Sequence, residues 1–181
     1  MQDEDTVGRD RQDALYAEAS SAHGGVIRRL ARGYEADPEK QRDLLQEMHL
    51  QVWASFRSFD GRCSLRTWVY RIAHNVGASH VVKSQRTAAR LVDLETLEAE
   101  PPRAHSEAQA HARITAGVLL DLIHRLKPLD RQVILLHLEG ETAVEIAEIT
   151  GLSAANVGTK IHRIKKLLKQ RYFEGGGHDR T

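Results

Sequence analysis

Apolar residues recur every three or four positions through most of the chain, and strict alternation of apolar and polar residues is rare. A period of three to four places apolar side chains on one face of a helix, whereas a half-buried strand needs a period of two. The pattern therefore predicts an all-α protein. The predicted helices cover Ala14–Tyr34, Asp37–Phe56, Leu65–Val82, Ile114–Leu126 and Leu129–Leu138, followed by two short helices within Thr142–Leu168.

Local signals set the expected boundaries of the first helices. Met1–Asp13 is acidic and polar, which predicts a loose leader, and Gly24-Gly25 predicts an interruption of the first helix. Asp37 followed by Pro38 is typical of a helix start, with Asp as the N-cap and Pro in the first turn. The Asp-Gly pair in Phe59–Ser64 predicts a loop before the third helix.

The segment Thr142–Leu168 has the pattern of a helix-turn-helix. Thr142 and Glu145 fit a capping box, Gly151 can adopt the left-handed turn, and Ser153 can cap the second helix. The charged residues of the first helix are all acidic and those of the second are all basic, so phosphates would attract the second. An ordinary amphipathic helix pair is the alternative, because basic residues near helix ends also complement the helix dipole.

The segment Leu91–Ala112 differs from its surroundings in composition. It has five acidic residues against Arg103, contains Pro101-Pro102, and shows little helical period. This composition is typical of a linker. We therefore expect two small helical domains, residues 14–90 and 113–173, joined by an acidic linker over residues 91–112.

The composition argues against a membrane protein, a disulfide-bonded protein and an enzyme. The net charge of +1 means that any contact with nucleic acid must come from local patches. A single cysteine, Cys63, fits a reducing cytosol, and no apolar run reaches the roughly 20 residues of a membrane helix. No metal-ligand, cofactor or catalytic motif stands out. We expect a cytoplasmic protein that is not an enzyme, is not inserted in a membrane, and has no metal or cofactor.

Two sets of motifs resemble a known family. Asp37-Pro38, Val52-Trp53 and Thr67–Asn75 look like region 2 of the bacterial sigma-70 family, and Leu129–Val133 with Thr142–Leu168 looks like region 4. The compact arrangement is similar to that of extracytoplasmic-function (ECF, group 4) sigma factors, over about residues 14–172. The resemblance implies a transcription initiation factor that binds core RNA polymerase and recognises minus-10 and minus-35 promoter elements. It also implies an anti-sigma partner.

The resemblance assigns the loop Phe59–Ser64 and the helix after it to the minus-10 element. Holding an unpaired strand needs a cationic track and polar groups that reach base edges. The non-template single strand would contact this region through Arg62, Arg66, Thr67, Arg71, Asn75, His80 and Lys83. Trp53 and Trp68 are expected in the core. Ser79 and Val82 stand where relatives carry an Asp and an Arg-rich run, so we expect duplex contact upstream of the minus-10 element to be weaker or differently specified.

Two further surfaces follow from the resemblance. Region 4 would bind the minus-35 duplex and dock on the β flap, with DNA contacts from Ser153, Asn156, Thr159, Lys160, His162, Arg163 and Lys166. Gly158 stands among them, where many relatives carry a long polar side chain. The second predicted helix would dock on the β′ clamp helices through a partly acidic face that suits a basic partner: Asp43, Gln46, Glu47, His49 and Leu50.

A conventional helix-turn-helix regulator is the alternative function. Such a protein would bind duplex DNA, as a dimer, and would use its first domain for sensing. It accounts for Thr142–Leu168 equally well. It does not account for the arginine-flanked loop before Trp68 or for the acidic face of the second helix.

Overall fold

The protein is built from helices, and its computed structural model describes residues 2–91 and 109–175, with side chains from 8 to 87 and from 116 to 173. No strand occurs among these residues, which confirms the predicted all-α class. A single 3-10 turn, Phe56–Ser58, follows the second helix. The helices are α1 (Gln2–Tyr34), α2 (Pro38–Ser55), α3 (Leu65–Leu91), α4 (Gln109–His124), α5 (Pro128–Leu138), α6 (Ala143–Thr150) and α7 (Ala154–Gly175).

Helix α1 is longer and more regular than predicted. The expected loose leader was wrong, because the helix begins at Gln2 and Gln12 is buried, with its side-chain amide donating to the Trp53 carbonyl at 2.7 Å. The expected interruption at Gly24-Gly25 was also wrong. Each Gly costs a helix about 1 kcal/mol relative to Ala. Packing of α1 along both α2 and α3 outweighs that cost.

Helices α1, α2 and α3 form a first bundle. The Asp37 side chain accepts hydrogen bonds from the Glu39 and Lys40 amides, as predicted for the N-cap of α2. These bonds lower the pKa of Asp37, with the Lys40 amide the larger cause. Helix α3 continues to Leu91, nine residues beyond the predicted end at Val82.

Helices α4 to α7 form a second bundle that contains the helix-turn-helix. The capping box of Thr142 and Glu145 is present, and Gly151 ends α6 with φ of 76°. Helix α4 begins at Gln109, inside the segment predicted as linker, while residues 92–108 of that segment lie outside the described residues.

The two bundles pack against each other, and their buried apolar residues form one continuous cluster. Helix α1 contacts α4 and α5, and α3 contacts α5 and α6. The two bundles approach closely at Gly33 of α1, where an added Cβ would lie 2.5 Å from a methyl group of Leu135 on α5. None of the described helices is long and apolar enough to cross a membrane.

Candidate nucleic-acid interface

The first part of α7 presents small polar side chains immediately after the turn at Gly151. The Asn156 amide donates to Ser153 Oγ at 3.3 Å, so Ser153 caps the helix, and the Thr159 hydroxyl donates to the Ala155 carbonyl at 3.0 Å. A helix-turn-helix reads base edges with this end of its second helix. The predicted minus-35 residues that are exposed on α7 or at its N-cap are Ser153, Asn156, Thr159, His162, Arg163 and Lys166.

Two predicted cations of α7 are paired with a carboxylate of α5. Lys160 Nζ lies 2.6 Å from Asp130 Oδ1, and Arg163 Nη2 lies 3.1 Å from Asp130 Oδ2. The Lys160 side chain is only 24% exposed, whereas that of Arg163 is 67% exposed. Lys160 therefore fastens α7 to α5, and Arg163 can still reach a phosphate at the cost of its ion pair.

The loop before α3 is held by an aromatic cluster. The rings of Phe59 and Trp68 lie 5.3 Å apart, and Trp68 Nε1 donates to Ser55 Oγ at 2.9 Å. Trp68 is therefore a partly buried support for the loop, as expected from its apolar neighbours. Arg62 pairs with Asp60 within the loop and is 89% exposed, so it is available to a ligand.

Two of the predicted minus-10 residues contact α6 and the residues before it. Arg66 Nη2 bonds to Glu141, its Nη1 lies 3.8 Å from Glu145 Oε1, and its guanidinium carbon lies 5.5 Å from the centre of the Tyr70 ring. Arg71 Nη2 donates to the Glu148 backbone carbonyl at 2.8 Å. We call Arg66 and Arg71 the cationic face of α3. The second bundle contacts this face, although the Arg66 side chain remains 44% exposed.

Glu141 is the most buried acid of this contact, with its side chain 2% exposed. Burial raises the pKa of Glu141, and the neighbouring Arg66 acts in the opposite direction. A buried carboxylate without a cation would be costly, so Arg66 is what allows Glu141 to be charged there.

The remaining predicted minus-10 residues on α3 lie at its first turn and beyond Arg71. Thr67 Oγ1 is 2.8 Å from Ser64 Oγ at the start of the helix, and His80 Nε2 is 2.7 Å from Glu35 Oε2. Asn75, His80 and Lys83 line a groove of about 870 Å³ between α2 and α3. The structure therefore does not bring the whole predicted set together on one open surface.

The predicted polymerase-docking face lies on α2. Asp43, Gln46, Glu47 and Leu50 are exposed, and Leu50 is unusually so for an apolar residue, at 54%. His49 is different, because its ring is half-buried against α1 with Nδ1 at 3.0 Å from the Tyr16 hydroxyl. Burial lowers the pKa of His49.

Sequence reasoning gave no role to several residues that organise these surfaces. Asp130 and Glu141 hold the cations of α7 and α3, and Arg131 is buried between the bundles. Arg131 is flanked by Asp130 and Gln132, so the sequence around it does not indicate its burial. Glu141 carries no such signal either, because its burial depends on how the two bundles pack.

The fold and these surfaces define an all-helical protein with a helix-turn-helix in its second bundle and an arginine-bearing helix in its first. Comparison with known families gives the same division. Residues 20–87 match the model of sigma-70 region 2, and residues 116–168 match that of sigma-70 region 4. The chain belongs to the sigma-70 family and is an ECF sigma factor, that is, a promoter-directing transcription initiation factor and not an enzyme.

Relatives and a solved structure agree with this assignment. The chain is 27% identical over 138 residues to the ECF RNA polymerase sigma factor SigX of Bacillus subtilis (strain 168), covering 74% of this chain and 71% of SigX. It is 25% identical over 175 residues to SigW of the same organism, covering 91% and 92%. The sigma factor RpoE, in complex with the anti-sigma factor NepR from Bartonella quintana, has the same fold. The two structures superpose with a TM-score of 0.65 and are 19% identical in sequence. The alignment covers 91% of this chain and 98% of RpoE.

Proposed function

We propose that this sigma factor directs core RNA polymerase to two-part promoters through α7 and α3, and that it docks on the polymerase through α2. The observation that carries this assignment of surfaces is the exposed polar face of α7 after the Gly151 turn. In a helix-turn-helix that face enters the major groove and meets the minus-35 element. The domain division proposed with it is residues 14–90, 91–112 and 113–173.

The minus-10 role belongs to the loop before α3 and to the cations behind it. Exposed Arg62, with Arg66 and Arg71, would follow the phosphates of the non-template strand, while the loop takes up an extruded base. The aromatic support from Phe59 and Trp68 keeps the loop in shape while its polar groups contact DNA.

The docking role belongs to the exposed face of α2. Asp43 and Glu47 would pair with basic residues of the β′ clamp helices, and Leu50 would be buried on contact. An exposed apolar residue beside acidic ones suits a protein partner better than DNA. Region 4 would in addition dock on the β flap.

The cellular setting follows from these partners. We expect the protein to act in the bacterial cytoplasm, because core RNA polymerase and promoter DNA are found there. An anti-sigma factor is a further proposed partner, supported by the relative RpoE, whose structure was determined with NepR.

Reconstitution with core RNA polymerase tests the proposal. Glu47→Lys should weaken core binding at least about tenfold in size-exclusion co-elution, because like charges then face each other at the docking surface. Glu18→Lys, an equal charge change at an exposed position of α1, is the matched control and should bind normally. Circular dichroism should show both variants folded.

The same mixture separates the two functions considered for the chain. Run-off transcription on a genomic promoter library, with start sites that share two spaced elements, supports the sigma-factor assignment of these surfaces. Normal core binding by Glu47→Lys would remove α2 as the docking face. Tight duplex binding without any core binding would favour a conventional helix-turn-helix regulator.

A further inference from the structure

We propose that the start of α1 positions the loop Phe59–Ser64 for uptake of the minus-10 base. Three consecutive side chains, Arg11, Gln12 and Asp13, act through bonds to the end of α2 and to the first residue of the loop. None of the three belongs to the proposed DNA-binding or polymerase-docking residues. The inference rests on the proposed minus-10 role of the loop.

Two of these side chains hold Trp53, which lies in the last turn of α2. The Gln12 amide donates to the Trp53 carbonyl at 2.7 Å, and Trp53 Nε1 donates to Asp13 Oδ1 at 2.7 Å. Gln12 is only 4% exposed, so its bond is shielded from water. Both the backbone and the ring of Trp53 are thus fixed by α1, which restricts movement of the end of α2.

The end of α2 gains from this support because a 3-10 turn, Phe56–Ser58, follows it. The last four carbonyls of an α-helix have no regular partner within the helix. The Trp53 carbonyl accepts the Phe56 amide in the tighter turn, and Gln12 supplies a second donor to the same oxygen. A carbonyl oxygen has two lone pairs, so both bonds can form. Gln12 therefore stabilises the point at which the chain leaves α2 for the loop.

The first residue of the loop, Phe59, has contacts on several sides. Its ring centre lies 6.1 Å from that of Phe56 and 5.3 Å from that of Trp68. Its carbonyl accepts from Arg11 Nη2 at 3.5 Å. Trp68 in turn donates to Ser55 Oγ at the end of α2. Through these contacts, the first turns of α1 help to determine where the loop starts.

Positioning of this kind should affect capture of the base more than contact with phosphates. A loop that already has its binding conformation loses less conformational freedom on binding, and therefore binds more tightly. Loosening the loop should weaken capture of a base although every group that touches DNA is kept. The phosphate contacts proposed for Arg62, Arg66 and Arg71 do not require that base. The effect should thus be confined to DNA that carries it.

Asp13→Ala and Gln12→Met each remove one contact to Trp53. Methionine is similar in length to glutamine but has no hydrogen-bond donor. Asp13→Asn is the matched control, because it removes the same negative charge as Asp13→Ala and keeps a side-chain oxygen for Trp53 Nε1. Circular dichroism should show all three variants folded at the temperature of the assays.

The motion of the loop in the free protein is the first measurement. Cys63 is the only cysteine of the chain and lies in the loop, so a nitroxide attached to it reports loop motion. We expect narrower paramagnetic resonance lines in Asp13→Ala and Gln12→Met, and wild-type lines in Asp13→Asn. A nitroxide on a cysteine placed at exposed Lys169, in a Cys63→Ser background, should give wild-type lines in every variant. This second label separates loosening of the loop from a general loss of stability.

DNA binding by the holoenzyme, reconstituted from core polymerase and unlabelled sigma factor, is the second measurement. The probe is a fluorescent fork-junction DNA made from the strongest promoter of the run-off library, with versions that lack one base at a time across the minus-10 element. The captured base is the one whose absence weakens wild-type binding most. Asp13→Ala and Gln12→Met should weaken binding of the intact junction about three- to tenfold, and should bind the junction without that base as wild type does.

The two measurements distinguish the ways in which the proposal can fail. Wild-type nitroxide lines at Cys63 in both Asp13→Ala and Gln12→Met would overturn the positioning of the loop by α1. Narrower lines with wild-type binding of the intact junction, or equal weakening for both junctions, would overturn its link to base capture. If no missing base weakens wild-type binding, the proposed minus-10 role of the loop fails, and the nitroxide lines still report how α1 holds the loop.

Discussion

At the residue scale, the most unusual ionisable group is His74 of α3. It is fully buried, its Nδ1 lies 2.8 Å from the Tyr34 hydroxyl, and its Nε2 has no partner. Burial lowers the pKa of His74 to about 3. The imidazole is therefore neutral in the folded protein, and it forms part of the core between α1 and α3.

The depressed pKa predicts a loss of stability in acid. Between pH 6.5 and 3 the unfolded chain binds a proton at His74 that the folded chain does not, so stability falls as the pH falls. The expected contribution is roughly 1.4 kcal/mol per pH unit below about pH 6. Urea unfolding at pH 7, 6 and 5 should show a shallower decline for His74→Gln, which keeps a hydrogen-bonding group for Tyr34.

His162→Gln is the control for this prediction, because His162 is exposed on α7. It should retain the wild-type dependence on pH. An unchanged decline in His74→Gln would mean that other groups account for the acid sensitivity.

Asp130 is the second residue with a testable role, because it holds both Lys160 and Arg163. Asp130→Asn should cost about 1–2 kcal/mol in urea unfolding, since half-buried Lys160 loses its carboxylate. It should also strengthen binding to non-specific duplex DNA at low salt, because both cations become available to phosphates.

Asp121→Asn removes the same charge at an exposed position of α4 and serves as the comparison. If Asp130→Asn instead weakens duplex binding beyond that control, Asp130 orients the two cations for DNA and does not withhold them.

At the element scale, the packing of α1 on α3 depends on a glycine. A Cβ on Gly77 of α3 would lie 2.3 Å from the Tyr34 ring, and that ring is fixed by burial and by its contact with His74. The two helices can approach this closely only because Gly77 has no side chain. From the sequence alone, Gly77 indicates only a weaker helix. In the folded protein it is the position at which α3 contacts the Tyr34 ring of α1.

Gly77→Ala should therefore destabilise the protein by about 1–3 kcal/mol in chemical denaturation, despite the better helix propensity of alanine. Gly24→Ala on α1 is the contrasting variant, because its Cβ would meet only Ser20 Oγ at an ordinary 3.8 Å. It should stabilise by roughly 0.5–1 kcal/mol. Equal effects of the two substitutions would contradict the tight contact with Tyr34.

At the scale of the whole molecule, Arg131 connects the two bundles. Its Nη1 donates to the Tyr34 carbonyl of the first bundle, and its Nη2 donates to the His124 carbonyl of the second. Burial lowers the pKa of Arg131. A planar fork with several donors can satisfy both carbonyls at once, which a single ammonium cannot do in the same geometry.

Arg131→Lys should accordingly loosen the packing of the two bundles and lower stability by about 1–3 kcal/mol, since a buried carbonyl loses its donor. Energy transfer between dyes on cysteines placed at Glu18 and Lys169, in a Cys63→Ser background, and urea unfolding would measure the two effects. Arg125→Lys, at an exposed position in the same turn region, should change neither. Unchanged energy transfer in Arg131→Lys would show that apolar packing around Leu135 is enough to hold the two bundles together.

Local chemistry allowed much of the fold to be predicted. The Asp37 cap, the capping box of Thr142 and Glu145, and the turn at Gly151 depend on neighbours within a few residues, and each is present. Helix lengths were less predictable. α1 extends to Gln2 and α3 to Leu91, because packing between helices outweighs weak local preferences.

By itself, the sequence determined the all-helical class, the helix-turn-helix and the resemblance to sigma-70 regions 2 and 4, because these depend on periodicity, capping and short motifs. Only the tertiary structure decided which partners the cations have. Arg66 and Arg62 look alike in sequence, yet one is held by buried Glu141 and the other projects from its loop. The reason is physical: a surface charge takes its role from the groups that pack opposite it, and Glu141 is 75 residues away along the chain.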